Sequence, residues 1–163
     1  SQSFESYLEK SYCKTASLIA NSSKAIGVLS DVDQESLNSL YFFGRQLGLA
    51  FQVVDDILDF TGNDEQLGKP AASDLQSGYL TAPVFYALDE NPTLSELING
   101  KFLKKDDLDK ALSLVRDSNA IKKSRELAEK FASESKDSIS WLPDSPSKKA
   151  LLELPEFVIS RLY

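Results

Sequence analysis

Hydrophobic and polar positions between residues 34 and 60 follow the period of an α-helix. The apolar, aromatic and glycine positions that recur on one face of this segment are Leu37, Leu40, Tyr41, Gly44, Leu47, Gly48, Phe51, Val54 and Leu58. Gly44 and Gly48 lie one turn apart on that face, where the backbone of a neighbouring helix can approach closely. The pattern predicts a long helix over 34–60 whose glycine-bearing face packs within the protomer.

Helical periodicity continues along most of the chain, and the alternation typical of strands is nearly absent. The further predicted helices span 4–20, 24–29, 73–89, 93–99, 105–117, 120–140 and 146–162, with a polar break at 21–23 and an irregular loop at 61–72. Asp33 is the predicted N-cap of the long helix, while Ser145 and Pro146 form a start signal for the last helix. Pro155 should kink that last helix. We therefore expect an all-α fold that forms one domain.

The composition excludes several kinds of catalytic site. The chain has no histidine and a single cysteine, Cys13, so histidine-dependent nucleophiles, histidine-ligated metals and zinc sites built from thiolates alone are excluded. The net charge of −7 argues against nucleic acid as the main partner, because phosphate backbones select basic surfaces. No stretch approaches the roughly 20 consecutive apolar residues of a membrane-spanning helix. Any catalysis must rely on carboxylates, lysines, hydroxyls, the backbone or a hard metal ion.

Three aspartates, Asp55, Asp56 and Asp59, lie near the end of the long predicted helix, in the segment FQVVDDILDF. At helical spacing, Gln52, Asp55 and Asp59 line one side of the helix over about two turns. Like charges one turn apart repel by roughly 0.2–0.5 kcal/mol, and a cation would relieve this repulsion. Mg²⁺ fits, because it usually takes one or two protein carboxylates and completes its octahedron with water and phosphate oxygens. The alternative is a solvated acidic face, although the surrounding apolar residues make this an unusual place for one.

Two lysines lie in settings that suit phosphate binding. Lys69 lies in the segment LGKP just past the acidic helix, where a lysine can swing onto a phosphate as a compact positive charge. Lys14 and Thr15 are adjacent in the first helix and point about 100° apart, so both reach one phosphate group only if the helix is locally distorted. Each of these residues alone is also compatible with an ordinary surface position. Gly78 and Thr81, in the segment SDLQSGYLTAP, are likewise compatible with a packing gap and a helix residue.

Taken together and in this order, the segments KTA, FQVVDDILD, LGKP and SDLxxGxxTAP resemble the second half of the trans-isoprenyl diphosphate synthases. The resemblance covers essentially the whole chain and is closest to plant members that make polyprenyl or geranyl diphosphate. It implies the C-terminal helices of the all-α isoprenoid synthase bundle, with long helices around a deep apolar cavity. The reaction that it implies is the Mg²⁺-dependent head-to-tail condensation of isopentenyl diphosphate with an allylic diphosphate.

The resemblance also implies a metal-binding role for the aspartates. Asp55, Asp56 and Asp59 match the family's second aspartate-rich motif, which holds Mg²⁺ on the allylic diphosphate. Asp55 is the best candidate for direct ligation of the metal.

Catalytic and substrate-binding roles are implied for four further residues. Lys14 and Lys69 match lysines that contact the allylic diphosphate. Thr15 matches a threonine at a helix break beside the developing cation, and Gln52 matches a glutamine close to the reacting allyl group.

The family's first aspartate-rich motif and its basic isopentenyl-diphosphate motif normally lie N-terminal to the matched segment, and neither is present. The chain also has no methionine, so Ser1 is not a translation start. We therefore expect residues 1–163 to be the C-terminal portion of a single polyprenyl synthetase domain, whose missing N-terminal half completes the site. Without that half the chain is expected to be inactive. The resemblance further implies a homodimer and, for a plant-like member, a plastid or a mitochondrion.

Three alternative functions are open at this point. A non-catalytic, regulatory subunit on the same fold would bind and tune a catalytic homologue, but it would not need the intact aspartates and lysines. A helical interaction module with an incidental acidic face would show no Mg²⁺-dependent binding of diphosphate. A terpene cyclase fits the Gly68-Lys69 pair and the Gly78, Thr81 and Pro83 pattern less well than a chain-elongating enzyme does.

Overall fold

The computed structural model describes residues 3–62, 73–103 and 106–163, and its regular elements within these ranges are all helical. The helices are α1 (Phe4–Ser11), α2 (Ser17–Leu29), α3 (Gln34–Thr61), α4 (Ser73–Gln76), α5 (Ala82–Glu90), α6 (Pro92–Asn99), α7 (Asp107–Asp117), α8 (Ala120–Ser138) and α9 (Pro146–Ser160). A π-helical turn, Tyr12–Ala16, joins α1 to α2. The predicted all-α fold is confirmed. Within the described ranges, no helix combines the length and apolarity needed to cross a lipid bilayer.

The chain divides into two compact units. The first unit comprises the described parts of 1–7 and 55–126, and the second comprises 8–54 and the described 127–163. Helix α3 therefore contributes residues from Asp55 onward to the first unit and residues up to Val54 to the second.

The first unit has a hydrophobic core of its own. Its buried members are Phe60, Leu75, Val84, Ala87, Leu94, Ala111, Val115 and Ala120. They come from the C-terminal end of α3 and from α4 to α8, because each of these helices is apolar on one face only and must bury that face. These helices thus share one hydrophobic core with Phe60 at the aspartate-bearing end of α3.

In the second unit, α2 and α3 pack with their backbones in contact. A Cβ atom built on Gly44 would lie 2.5 Å from the carbonyl oxygen of Ile19, an approach that only glycine permits. On another face of α3, the buried Ser135 hydroxyl of α8 donates to the carbonyl oxygen of Phe43 at 3.0 Å. Gln46 also donates to Glu134 of α8. The predicted packing of the glycine-bearing face within the protomer is confirmed.

The prediction of a break at 21–23 was wrong, because α2 runs through these residues. The Asn21 side chain donates to the carbonyl oxygen of Ser17 at 2.7 Å, and the Ser23 hydroxyl donates to that of Ile19 at 2.9 Å. These polar side chains bond to the preceding helical turn and so leave the backbone hydrogen bonds of the helix intact.

The prediction of one helix over 73–89 was also wrong, because α4 ends at Gln76 and α5 begins at Ala82. Gly78 has a φ of +81°, and the next amide, of Tyr79, donates back to the carbonyl oxygen of Asp74 at 2.9 Å. This is a glycine-terminated helix end. Proline in the first turn of α5 then favours a new start, because its missing N–H needs no helical partner there.

The other helices agree with the predictions to within about two residues at each end of the described segments, as is usual for helix boundaries. Asp33 caps α3 by accepting the Ser36 amide at 2.9 Å, and this hydrogen bond lowers the pKa of the Asp33 carboxyl. Ser145 caps α9 by accepting the Lys148 amide at 3.1 Å. Helix α9 continues through Pro155 to Ser160. Of the predicted loop 61–72, Thr61 belongs to α3, and 63–72 lies outside the described residues.

Candidate active site

A distorted helical turn carries Lys14 and Thr15. In this turn the Ser17 amide donates to the carbonyl oxygen of Tyr12, an i to i+5 hydrogen bond that defines a π-helix. The extra residue per turn changes the direction in which the side chains point. A local distortion of this kind is what Lys14 and Thr15 would need in order to contact the same ligand. The Lys14 side chain is exposed, and Thr15 is half-buried.

Helix α3 holds this π-helical turn at three positions along its length. The Thr15 hydroxyl donates to Oε1 of Gln52 at 2.8 Å. The hydroxyls of Tyr12 and Tyr41 share a hydrogen bond of 2.5 Å, which raises the pKa of Tyr41. Gly48 provides the third contact, because its missing side chain lets α3 touch the backbone of the turn. The pairing of Thr15 with Gln52 brings together two of the predicted site residues that lie 37 positions apart.

Asp56 is anchored within the first unit by a tyrosine from the start of the chain. The Tyr7 hydroxyl donates to Oδ2 of Asp56 at 2.6 Å. Tyr7 is 6% exposed and Asp56 is 3% exposed, so the hydrogen bond is shielded from water. The distance lies at the short end of the range for hydrogen bonds between two oxygens.

The other two aspartates differ in exposure. Asp59 is 1% exposed, and its Oδ1 lies 3.5 Å from the Ser73 hydroxyl at the start of α4. Asp55 is half-buried and therefore remains accessible to a ligand. The neighbours Val53, Val54 and Ile57 are fully buried, so these carboxyls interrupt an apolar helix instead of forming a solvated acidic face.

The aspartates suit a hard divalent cation. Carboxylate oxygens are the ligands that Mg²⁺ prefers, and buried carboxylates are costly unless they are paired, hydrogen-bonded or bound to a metal. Across the described ranges, no three acidic, cysteine or histidine side chains come together as a complete metal-binding group. Mg²⁺ usually takes only one or two protein carboxylates and fills its remaining positions with water and ligand oxygens, so Asp55, Asp56 and Asp59 are the residues that could hold it here.

Lys69 lies outside the described residues, so its predicted contact with diphosphate remains a prediction from the sequence.

Two residues missed by the sequence analysis support the aspartate-bearing end of α3. One is Tyr7, and the other is Arg116 of α7, whose Nε donates to the carbonyl oxygen of Phe60 at 2.9 Å. Phe60 is among the last residues of α3, whose terminal carbonyls have no partner within the helix. The only sequence pattern that pointed to Tyr7 was its place as an aromatic residue on the apolar face of a short helix. No sequence pattern indicated a role for Arg116.

The chain matches the sequence profile of the family described as "Polyprenyl synthetase" over residues 1–115. It is 52% identical to a prenyl transferase of Synechocystis sp. over 98% of its own length and 49% of the relative. It is 45% identical to the chloroplastic solanesyl diphosphate synthase 2 of Arabidopsis thaliana over 97% of the chain and 38% of the relative. A probable mitochondrial hexaprenyl pyrophosphate synthase of Neurospora crassa is 43% identical over 95% of the chain and 34% of the relative. The chain thus spans half or less of the length of these curated relatives.

The solved structures that resemble this chain are prenyl synthases as well. A medium/long-chain-length prenyl pyrophosphate synthase of Arabidopsis, in its apo form, superposes with a TM-score of 0.88 at 40% identity, over 99% of this chain and 56% of that one. A polyprenyl synthase of Caulobacter crescentus, in complex with calcium and isoprenyl diphosphate, superposes with a TM-score of 0.86 at 34% identity, over 97% of this chain and 50% of that one.

Proposed function

This chain belongs to the polyprenyl synthetase family, and we propose that it is the part of a Mg²⁺-dependent trans-prenyltransferase that supplies the second aspartate-rich motif. The complete enzyme condenses isopentenyl diphosphate with an allylic diphosphate to form a longer prenyl diphosphate. Residues 1–163 form the C-terminal portion of its single synthetase domain, and an N-terminal half supplies the first aspartate-rich motif and the isopentenyl-diphosphate site. The half-length match to the relatives supports this division.

The hydrogen bond between Thr15 and Gln52 is the observation that carries the proposal. It joins the π-helical turn of the KTA segment to α3, one turn before Asp55 along the helix. The two side chains present neutral oxygen dipoles, which stabilise a developing allylic cation without reacting with it. A packing role alone would not require a paired hydroxyl and amide at a distorted helical turn, since apolar side chains fill such a position without polar groups to satisfy.

The lysines, together with Mg²⁺ held by the aspartates, would neutralise the diphosphate leaving group. Asp55 is proposed as the direct Mg²⁺ ligand, because it is the most accessible of the three aspartates. Asp56 and Asp59 add negative charge on the same helix, and Lys14 and Lys69 contact the diphosphate oxygens directly. Bound Mg²⁺ would supply the remaining positive charge that makes diphosphate a good leaving group.

Exclusion of water is the other requirement, because a carbocation reacts rapidly with it. Val53, Val54 and Ile57, on either side of the first two aspartates, are fully buried, so this part of α3 is shielded by packed apolar side chains. No step needs a histidine as acid or base, which agrees with its absence from the chain.

The proposal also covers the partners of this chain and its compartment in the cell. The chain pairs with the N-terminal half of the domain, and the assembled enzyme is a homodimer. Its proposed compartment is a plastid or a mitochondrion, supported by the chloroplastic and mitochondrial relatives.

A chimeric enzyme tests the proposal. The matching segment of the Synechocystis prenyl transferase is replaced by residues 1–163, and product is measured with labelled isopentenyl diphosphate, an allylic diphosphate and Mg²⁺. We expect Mg²⁺-dependent prenyl product that Asp55→Ala abolishes, while Asp117→Ala, an exposed aspartate at the end of α7, leaves it unchanged.

The alternatives give different results. A folded chimera that binds Mg²⁺ and inorganic diphosphate but forms no product would favour the hypothesis of a regulatory subunit. The relatives, which are named as transferases and synthases, give that hypothesis no support. A folded chimera without Mg²⁺-dependent binding of diphosphate would favour a helical interaction module.

A further inference from the structure

The hydrogen bond between Tyr7 and Asp56 joins two segments that are 49 residues apart in sequence. Both side chains are almost fully buried, and the donor and acceptor oxygens lie 2.6 Å apart. It holds one carboxylate oxygen of Asp56 toward Tyr7 and so favours one orientation of the carboxyl group.

Aromatic packing holds the Tyr7 ring in place. The ring centroid of Tyr7 lies 5.7 Å from that of Phe4 and 6.1 Å from that of Phe85. Phe4 in turn contacts Phe85 edge-on at 5.7 Å and Tyr86 at 5.5 Å. The aromatic rings of α5 therefore pack against the first turn of α1, and Tyr7 has little freedom to change its rotamer.

Stability alone is a poor explanation for this arrangement. A buried carboxylate carries a desolvation cost, and replacing buried charged groups by apolar side chains of similar volume is often neutral or stabilising. A phenylalanine at position 7 would keep the ring packing, and an apolar residue at position 56 would remove the buried charge. The hydroxyl–carboxylate pair instead gives the carboxyl group of Asp56 one defined orientation.

We propose that Tyr7 is a positioning residue of the aspartate motif, which acts through Asp56 to set the geometry in which Mg²⁺ and diphosphate bind. This inference rests on the proposed function above. Partners that hydrogen-bond metal-site carboxylates tune metal affinity, and their loss typically weakens it by roughly 10–100-fold. Tyr7 does not itself contact the metal or the substrate in this proposal.

The test uses the chimeric enzyme with Tyr7→Phe, which removes one hydroxyl and keeps the aromatic ring. The matched control is Tyr86→Phe, which makes the same change in a second tyrosine of the same aromatic cluster. Titration calorimetry measures the affinity for Mg²⁺ in the presence of inorganic diphosphate, and a separate assay measures the Mg²⁺ concentration for half-maximal product formation.

We expect Tyr7→Phe to weaken the Mg²⁺-dependent binding about tenfold. Tyr86→Phe should leave it unchanged. Asp56→Ala removes the whole carboxyl group and should weaken binding at least as much. Adding Tyr7→Phe to Asp56→Ala should produce little further loss, because the Tyr7 hydroxyl then has no carboxyl group left to orient.

A different pattern would overturn the inference. If Tyr7→Phe lowers the melting temperature but binds Mg²⁺ and diphosphate as tightly as Tyr86→Phe does, the hydroxyl serves the fold alone. If the unsubstituted chimera shows neither Mg²⁺-dependent binding nor product, the proposed function fails, and the positioning role of Tyr7 fails with it. The behaviour of the unsubstituted chimera therefore separates the two failures.

Discussion

Gly48 lies so close to Ala16 that a Cβ atom on Gly48 would stand 2.4 Å from the Cα atom of Ala16. Ala16 is the last residue of the π-helical turn that carries Lys14 and Thr15, so this contact fixes the turn against α3. The distance is far below a van der Waals contact, and the obstructing atom belongs to a backbone that cannot rotate away. Glycine at position 48 is therefore a condition for the observed placement of Thr15 beside Gln52.

Gly48→Ala is expected to destabilise the chain. Alanine gains roughly 1 kcal/mol over glycine in helix propensity. Overpacking a well-filled contact typically costs about 1–3 kcal/mol, and a clash with backbone belongs at or above the upper end of that range. Urea denaturation should therefore show a net loss of about 2 kcal/mol or more in the free energy of unfolding. Gly100→Ala is the control, because its nearest obstacle is 3.2 Å away at a φ of −72°; an equal loss in both variants would contradict the explanation.

Thr15→Val is expected to impair activity more than stability. Valine matches threonine in shape but removes the donor to Gln52, which costs about 0.5–1.5 kcal/mol of folding free energy. Loss of one preorganised dipole at a reacting centre can lower kcat by roughly 10²–10³-fold. The chimeric enzyme provides kcat and urea denaturation provides stability. Thr15→Ser keeps the hydroxyl and should retain most of the activity, and equal kcat values for the serine and valine variants would show that the hydroxyl has no catalytic role.

Arg116→Met is expected to loosen the C-terminal end of α3. It removes the hydrogen bond to the Phe60 carbonyl and a positive charge near a helix C-terminus, with a combined effect of about 1–2 kcal/mol. Amide hydrogen exchange should quicken in the last turn of α3. Lys110→Met, an exposed cation on the same helix α7, is the control, and similar exchange in both variants would argue against a specific role for Arg116.

The ion pair between Glu90 and Lys123, with a distance of 2.8 Å, predicts a pH-dependent contribution to stability. The hydrogen bond from Lys123 lowers the pKa of Glu90, and the same bond raises the pKa of Lys123. The lowered pKa means that the Glu90 contribution is present above its ordinary value of 4.5 and is lost as pH falls through the depressed value. The raised pKa means that the Lys123 contribution is present below 10.5 and is lost as pH rises further.

Glu90→Gln should therefore lower the melting temperature near pH 7, and the difference from the unsubstituted chain should shrink in acid. The effect should be small and should weaken with added salt, because both groups lie at the surface. Glu153→Gln, in a longer surface pair with Lys149 at 4.0 Å, is the control. A difference that stays constant down to pH 3 would contradict the assignment to this ion pair.

The sequence determined the fold class and the family. Helical periodicity and glycine spacing predicted the long helix over 34–60 and its close packing, because a 3.6-residue pattern and the absence of a side chain are local properties. The order of the four motifs identified the family. The polar residues at 21–23 and the glycine at 78 were misread, because each polar side chain can bond to its own helix and a glycine can either continue a helix or end it.

Only the tertiary structure decided how the candidate site residues are supported. The pairings of Thr15 with Gln52, Tyr7 with Asp56 and Arg116 with the Phe60 carbonyl join positions 37 to 56 residues apart. No local pattern specifies such partners, since a hydrogen bond between distant segments depends on how whole helices pack. The sequence thus determined which chemical groups the chain offers, and packing decided which of them are held in place.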